Sequence, residues 1–291
     1  MGDLLIEERY GFRALNQYLS DLEDLRAGVP YSQLGISSRR ENLHASLIVT
    51  AADGGIDIVS DPYILRNQRL TPINSVALIR LEGTMSSRDG ASSYGVQYTA
   101  SQLRYAYANS NVSAIILEGN SGGGEVVAMN IMTAAIKERN KPVIGFGHYV
   151  ASAAYGTFSL TDEIIASDKL AEFGSIGAMI QVNMEFLNWY KENFKAFYGD
   201  NAPLKNNEIR EAVKGNFEPM QQIANNATNQ FHDMVSAARP LTGQDQYKKT
   251  TLSGKMFDAE EAKRRGLIDG IGNLNYALKR ATAWKAKYSQ K

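Results

Sequence analysis

The chain has no cysteine and only three histidines, His44, His148 and His232. The first absence excludes disulfides, thiolate metal sites and a cysteine nucleophile. The second leaves too few imidazoles for a multi-histidine metal centre, so neither metal nor cofactor is expected. Neither sign of charge dominates: 31 basic residues balance 31 acidic ones, which leaves no electrostatic footprint for nucleic acid or an anionic membrane. No apolar run approaches the ~20 residues that span a bilayer. The opening MGDLLIEERYGFRALNQYL carries acids where a signal peptide carries a basic start and an apolar core. Met1-Gly2 is not a myristoylation signal, because Ile6 stands where Ser or Thr is needed. The expectation is a soluble protein of a reducing compartment, the cytoplasm, without a membrane anchor.

The 291 residues are enough for one large domain or two small ones. Near-helical spacing of Leu4, Leu5, Tyr10, Phe12, Leu15, Tyr18, Leu19, Leu22 and Leu25 predicts an amphipathic helix over residues 4–27, closed by Gly28 and Pro30. Two β-like runs follow, Ser46–Thr50 and Gly55–Val59, with Asp53-Gly54-Gly55 as the turn. Residues 1–70 therefore read as an accessory, α-rich N-terminal extension. The body, 71–275, alternates strands (Ser75–Gly83, Ser113–Glu118, Val143–Phe146) with helices (Thr99–Asn109, Val126–Arg139). That rhythm predicts an α/β fold with a mostly parallel sheet. Residues 276–291 form a C-terminal helix, and a further helix is expected over Glu218–Ala238.

In parallel sheets of this kind the site lies at the carboxyl ends of the strands. Two unusual stretches fall there, the glycines Gly122-Gly123-Gly124 and the small residues Ala151-Ser152-Ala153-Ala154. Three successive glycines serve as a linker or as a cradle of backbone amides. The spacing is not that of a nucleotide P-loop. A serine between a strand and a helix can expose its hydroxyl as a nucleophile, although such segments also serve simple tight packing. A second glycine-bounded serine follows at Gly174-Ser175-Ile176-Gly177.

Strand–Asn120-Ser121-Gly122-Gly123-Gly124, helix, Lys141-Pro142-Val143 strand, Ala151-Ser152-Ala153-Ala154-Tyr155 and Gly174-Ser175-Ile176-Gly177 together resemble the signal peptide peptidase A family of serine peptidases. That family belongs to the Clp-protease/crotonase superfamily of repeated ββα units, and phage-head maturation proteases look closer still. The resemblance runs from about residue 75 to residue 272. It includes Phe231, Val235 and Arg239, then Leu252–Phe257, and Gly266-Leu267-Ile268-Asp269.

The resemblance implies a Ser–Lys dyad. Ser152 takes the nucleophile position. Lys205, which follows it by 53 positions, takes that of the general base, and Ser175 that of the serine orienting the lysine. The oxyanion hole would be formed by the amides of Ala153 and of Gly123 or Gly124. Lys195 and Lys214 fit the spacing less well, and His148 and His232 are the other candidate bases. Two departures stand out. The family has Ser-Pro-Gly-Gly where this chain has Ser121-Gly122-Gly123-Gly124, which implies a looser loop. It has Ala-Ser-Gly-Gly-Tyr where this chain has alanines, which implies an ordinary turn without positive φ.

The resemblance further implies protein or peptide substrates, capsid or scaffold proteins among them, and a homo-oligomer whose serine and lysine come from adjacent subunits. The other readings are a catalytically silent assembly protein and a crotonase-type acyl-CoA enzyme.

Overall fold

Val76 and Leu78 turn to one face of their strand, Ala77, Ile79 and Leu81 to the other, and all are buried. A strand apolar on both faces belongs inside a parallel sheet covered on two sides. The computed structural model describes residues 4–6, 45–50, 56–61, 63–89 and 95–288. Its strands are β1 Leu4–Ile6, β2 Ser46–Thr50, β3 Ile56–Ser60, β4 Ser75–Met85, β5 Val112–Glu125, β6 Val143–Ala151, β7 Glu163–Ala166, β8 Glu172–Gly174, β9 Met256–Asp258 and β10 Gly270–Ile271. Its helices are α1 Val96–Ala108, α2 Val126–Lys137, α3 Ala153–Phe158, α4 Met184–Asn193, α5 Asn207–Val213, α6 Glu218–Ala238, α7 Asp245–Thr251, α8 Ala259–Arg264 and α9 Leu274–Tyr288.

The sheet runs β10-β7-β6-β5-β4-β2-β3, and β8 and β9 continue from the far end of β6. Strands β10, β7, β6, β5 and β4 are parallel to one another along this path, and β8 is parallel to β6. β2, β3 and β9 pair antiparallel. The fold is therefore α/β with a mostly parallel sheet, and β2 and β3 extend the same sheet as the body. On one face α9 sets Ala277 and Ala281 against Val76, Leu78 and Ile116. On the other, α1, α2 and α3 cover the larger cluster around Leu103, Met132, Tyr155 and Phe158.

Phe158 shows how the sheet receives α3. Its ring comes down on the strands where Gly119 and Gly145 present no side chain. A Cβ would come within 2.4 Å of the ring at Gly119 and 2.7 Å at Gly145. The glycines thus let the short helix after β6 sit directly on the sheet, and burial of a phenylalanine of this kind is worth roughly 3–5 kcal/mol against alanine.

Two expectations are corrected. The helix expected over residues 4–27 does not start at Leu4: Leu4–Ile6 is β1, antiparallel to Gly123–Glu125. An open strand edge offers backbone partners that a weak local helical periodicity does not outweigh. The remainder of that helix, and the turn at Asp53–Gly55, lie outside the described residues. Gly122–Gly124 is not a loop but the end of β5. Gly123 and Gly124 pair with Thr84 and Met85 on one side and with Ile6 and Leu5 on the other. Elsewhere β2 and α6 have the expected bounds, whereas β5 and β6 run well beyond theirs, to Glu125 and Ala151.

Candidate active site

Three strands end together. Ser121 of β5 pairs with Val150 of β6, and Val150 pairs with Phe173 of β8. β5 runs on to Gly123, whose partners are Thr84 and Ile6, and Ser152 and Ser175 directly follow Ala151 and Gly174, the last pair of β6 and β8. The three predicted site residues thus fall at the carboxyl ends of β5, β6 and β8, the end at which α/β proteins have their sites.

Ser152 follows the last residue of β6 and precedes the first of α3. Its backbone has φ 54° and ψ −124°, a conformation that costs a non-glycine residue about 1–3 kcal/mol. The expected ordinary turn is thus corrected: the alanines that replace glycine are accommodated because the positive φ falls on the serine itself. The strain is held by two hydrogen bonds. The Ser152 amide donates to the Gly174 carbonyl at 2.8 Å, and the Ser152 carbonyl accepts from the Gly156 amide at 2.9 Å. Ser152 is 1% exposed, and its hydroxyl makes no hydrogen bond among the described residues.

Ser175 repeats the conformation with φ 53°. Its amide donates to the Lys255 carbonyl at 3.0 Å. Gly174 before it has φ 139°, and a Cβ there would stand 2.3 Å from the Lys255 carbonyl oxygen. Only glycine lets β8 pass between β6 and β9.

The amides proposed for an oxyanion are in different states. The Gly123 amide donates to Ser121 Oγ at 3.1 Å, and that hydroxyl in turn donates to the Gly83 carbonyl at 2.6 Å. The looser loop expected from the missing proline is instead a paired strand whose Gly123 amide is already engaged. The Ala153 amide makes no hydrogen bond among the described residues.

The candidate bases separate clearly. His148 is exposed, and its Nδ1 lies 3.1 Å from Asp168 Oδ2. Lys214 donates to Glu211 Oε1 at 2.6 Å. Lys195 lies over the Phe197 ring, 5.5 Å from its centroid. His232 of α6 is closer to the serines, with Nε2 3.3 Å from the Ile176 carbonyl. Lys205 is exposed on the turn between α4 and α5. Among the described residues it makes no ion pair, and no hydrogen bond joins it to Ser152 or Ser175.

Support for the site comes from beneath. The side chain of Arg239 is 4% exposed and its Nη2 donates to Asp269 Oδ1 at 2.9 Å. Asp269 Oδ2 accepts from the Ile164 amide at 2.7 Å. Tyr155 of α3 donates its hydroxyl to the Leu267 carbonyl at 2.9 Å, and burial pushes that phenol well above its ordinary pKa, so it stays a donor. Ala178, past Ser175, donates its amide to Thr228 Oγ1 of α6 at 3.0 Å. Beyond it lies a cavity of about 400 Å³ lined by Ala178, Met179, Ile180, Val182, Phe217 and Met220 among others. Sequence reasoning missed this cavity; the apolar run Ala178-Met179-Ile180, followed by Val182, was its only signal.

A strained serine between a parallel strand and a helix is one setting in which a serine hydroxyl serves as a nucleophile. Comparison with known proteins narrows this. The model of peptidase family S49 matches residues 135–288, a span that holds Ser152, Ser175 and Lys205. Protease 4 of Salmonella typhi is 28% identical over 213 residues, covering 71% of this chain and 34% of that protein. Protease 4 of Haemophilus influenzae is 29% identical over 253 residues, covering 81% and 40%. The chloroplastic serine protease SPPA of Arabidopsis thaliana is 27% identical over 217 residues, covering 70% and 32%. The chain thus spans between 32% and 40% of the length of these three curated relatives.

Among solved structures, a membrane-bound stomatin-specific protease in complex with a substrate peptide is similar with TM-score 0.46 and 18% identity, covering 71% of this chain and 80% of that one. ClpP1 of Listeria monocytogenes is similar with TM-score 0.45 and 15% identity, covering 69% and 94%. The chain belongs to peptidase family S49.

Proposed function

We propose that the protein is an endopeptidase in which Ser152 is the nucleophile and Lys205, supplied by a neighbouring copy, is the general base. The observation that carries the reading is the strained turn of Ser152 directly after β6, with Ser175 directly after the neighbouring β8. Ser152 Oγ attacks the peptide carbonyl as its proton passes to a neutral lysine amine. The tetrahedral oxyanion is met by the Ala153 amide and by a glycine amide of β5, with Gly123 turning from Ser121 to substrate. Collapse expels the amine leaving group, which takes the proton back from the lysine. Water, deprotonated by the same amine, then releases the acyl group. Ser175 donates or accepts at the lysine and holds it in line.

A lysine works as a base only when its pKa is lowered by removal from water. Lys205 is exposed in the single chain, so the reading requires that assembly buries it. Exposed Phe194, Phe197 and Leu204 flank it on the same arm and supply apolar surface for that contact. The cavity beside Ala178 suits apolar side chains of the substrate. Capsid or scaffold proteins as substrates, and a reducing compartment such as the cytoplasm or an assembling phage head, rest on the sequence resemblance and on the absence of cysteine.

Labelling with a fluorophosphonate, read by intact mass, tests the centre. A wild-type adduct lost in both Ser152→Ala and Lys205→Ala supports the dyad. Loss in Ser152→Ala alone moves the base to His232 or another lysine. No adduct in any assembly state rejects the peptidase reading in favour of a silent assembly protein.

A further inference from the structure

β5 has two edges, and at its end they are used differently. One edge stays on β4 throughout, with Thr84 opposite Gly123 and Met85 opposite Gly124. The other is covered by β6 only as far as Ser121 opposite Val150. There β6 turns away into Ser152, and Gly123–Glu125 would be left with an open edge beside the nucleophile. β1 takes that edge, antiparallel, with Ile6 opposite Gly123, Leu5 opposite Gly124 and Leu4 opposite Glu125. Its direction matters. The chain advances from Leu4 toward Ile6, and Ile6 faces Gly123, two residues past the last β5–β6 pair of Ser121 and Val150, where β6 leads into Ser152.

We propose that Leu4–Ile6 is a built-in pseudosubstrate: the chain's own extended segment occupies the peptide-binding edge next to Ser152 and must leave before a substrate strand can pair there. The inference rests on Ser152 being the nucleophile and adds the control of access to it. An extended peptide added to a strand edge gains its affinity from main-chain hydrogen bonds. Three paired residues form a short strand, and short isolated pairings are marginal in water, so the segment can exchange. Because it is tethered, its effective concentration is on the order of millimolar, enough to suppress weak peptide ligands while yielding to a substrate that pairs over a longer stretch. In this same arrangement the Gly123 amide donates to Ser121 Oγ within β5.

The test uses the full chain with Leu5→Pro and, separately, Ile6→Pro. Proline removes an amide hydrogen, and only one of two successive amides in a strand points to a given neighbour, so the two variants should differ. In a Ser152→Ala background, the probe is a fluorescein-labelled peptide of the sequence Gly2–Arg9, followed by anisotropy. The more effective proline variant should bind it at least about fivefold more tightly than the unmodified chain, as expected for removal of a tethered competitor. Equal binding to both, or none to either, overturns the proposal. A second measurement keeps the catalytic reading separate: fluorophosphonate labelling at Ser152 in otherwise native chains. Absence of labelling there, with the peptide result intact, would sink the nucleophile and not the strand. Accumulation of a chain lacking its first six residues, seen by intact mass, would show that the segment is cut rather than held and would overturn its role as an inhibitor.

Discussion

Ser152 and Ser175 stand abreast, each the residue after a paired partner, Ala151 opposite Gly174, and each carries positive φ, 54° and 53°. Two adjacent strands thus end in the same uncommon turn. At Ser152 the strain is separable from the chemistry. Ser152→Ala removes the hydroxyl and keeps the strain; Ser152→Gly removes both. Both variants should lose all labelling and peptidase activity. Ser152→Gly should unfold at a higher denaturant midpoint than Ser152→Ala, by about 1 kcal/mol. Equal stability would mean that the conformation at this position carries no cost.

Gly174 is the tighter constraint. An alanine there would meet both a φ of 139° and the Lys255 carbonyl oxygen at 2.3 Å. Because β8 is held by β6 on one side and β9 on the other, it has no free direction in which to move. Gly174→Ala should cost more than about 2 kcal/mol and reduce labelling of Ser152, whose amide hangs on the Gly174 carbonyl. Thermal unfolding and labelling rate measured on the same sample check both halves.

A centre shared between copies makes a prediction that a self-contained one does not. Ser152→Ala and Lys205→Ala should each be inactive alone. Mixed and reassembled in equal amounts, they should recover about a quarter of wild-type activity, since random neighbours combine an intact serine with an intact lysine in that share of sites. No recovery on reassembly would place the base within the same chain, with His232 the first to examine.

Arg239 and Asp269 are unequal partners. The arginine side chain is 4% exposed and the aspartate side chain 32%. Removing the aspartate strands a buried cation; removing the arginine leaves a carboxylate that water can still reach. Asp269→Ala should therefore cost about 3–5 kcal/mol, as for a buried pair that loses one member, and Arg239→Met less. Denaturant titration orders the two. The pair holds the segment under Tyr155, so both variants should also slow labelling at Ser152.

Much of this was legible in the sequence because its causes are local. Apolar runs closed by glycine or small residues marked the strands, and Ser152 and Ser175 were singled out as small residues just beyond such runs. Their common level was not legible, since register depends on which strands become neighbours. The positive φ at Ser152 was missed because the two alanines argued for an ordinary turn, and a serine shows nothing of its backbone angle in its name. Arg239 and Asp269 were visible only as letters of a resemblance, 30 residues apart, with no sign that they would meet. β1 was misread because its leucines fit a helical period, while the edge that captures it is more than a hundred residues away.

Glu163 and Arg280 fasten α9 to β7, and their pH behaviour tests that joint. Arg280 Nε donates to Glu163 Oε2 at 2.7 Å, and its Nη2 donates to the other carboxylate oxygen. Burial alone would raise the pKa of Glu163, but the hydrogen bonds and charge of Arg280, helped by the Trp284 side chain and the charge of Lys287, outweigh it and hold the carboxyl below its ordinary value. A carboxylate with a depressed folded pKa contributes stability that is present in full above its unfolded pKa of about 4.3 and lost as pH falls through the folded value. Wild type should accordingly weaken only below about pH 4 at this joint. In Arg280→Met the burial remains and the strongest of the contacts that hold the carboxyl down is gone, so the folded pKa rises relative to wild type. The variant should lose stability relative to wild type as pH rises from about 4 to 7. Denaturant midpoints for both proteins across that range decide it: a difference that grows with pH supports the joint, and a constant offset shows that Arg280 acts only by packing.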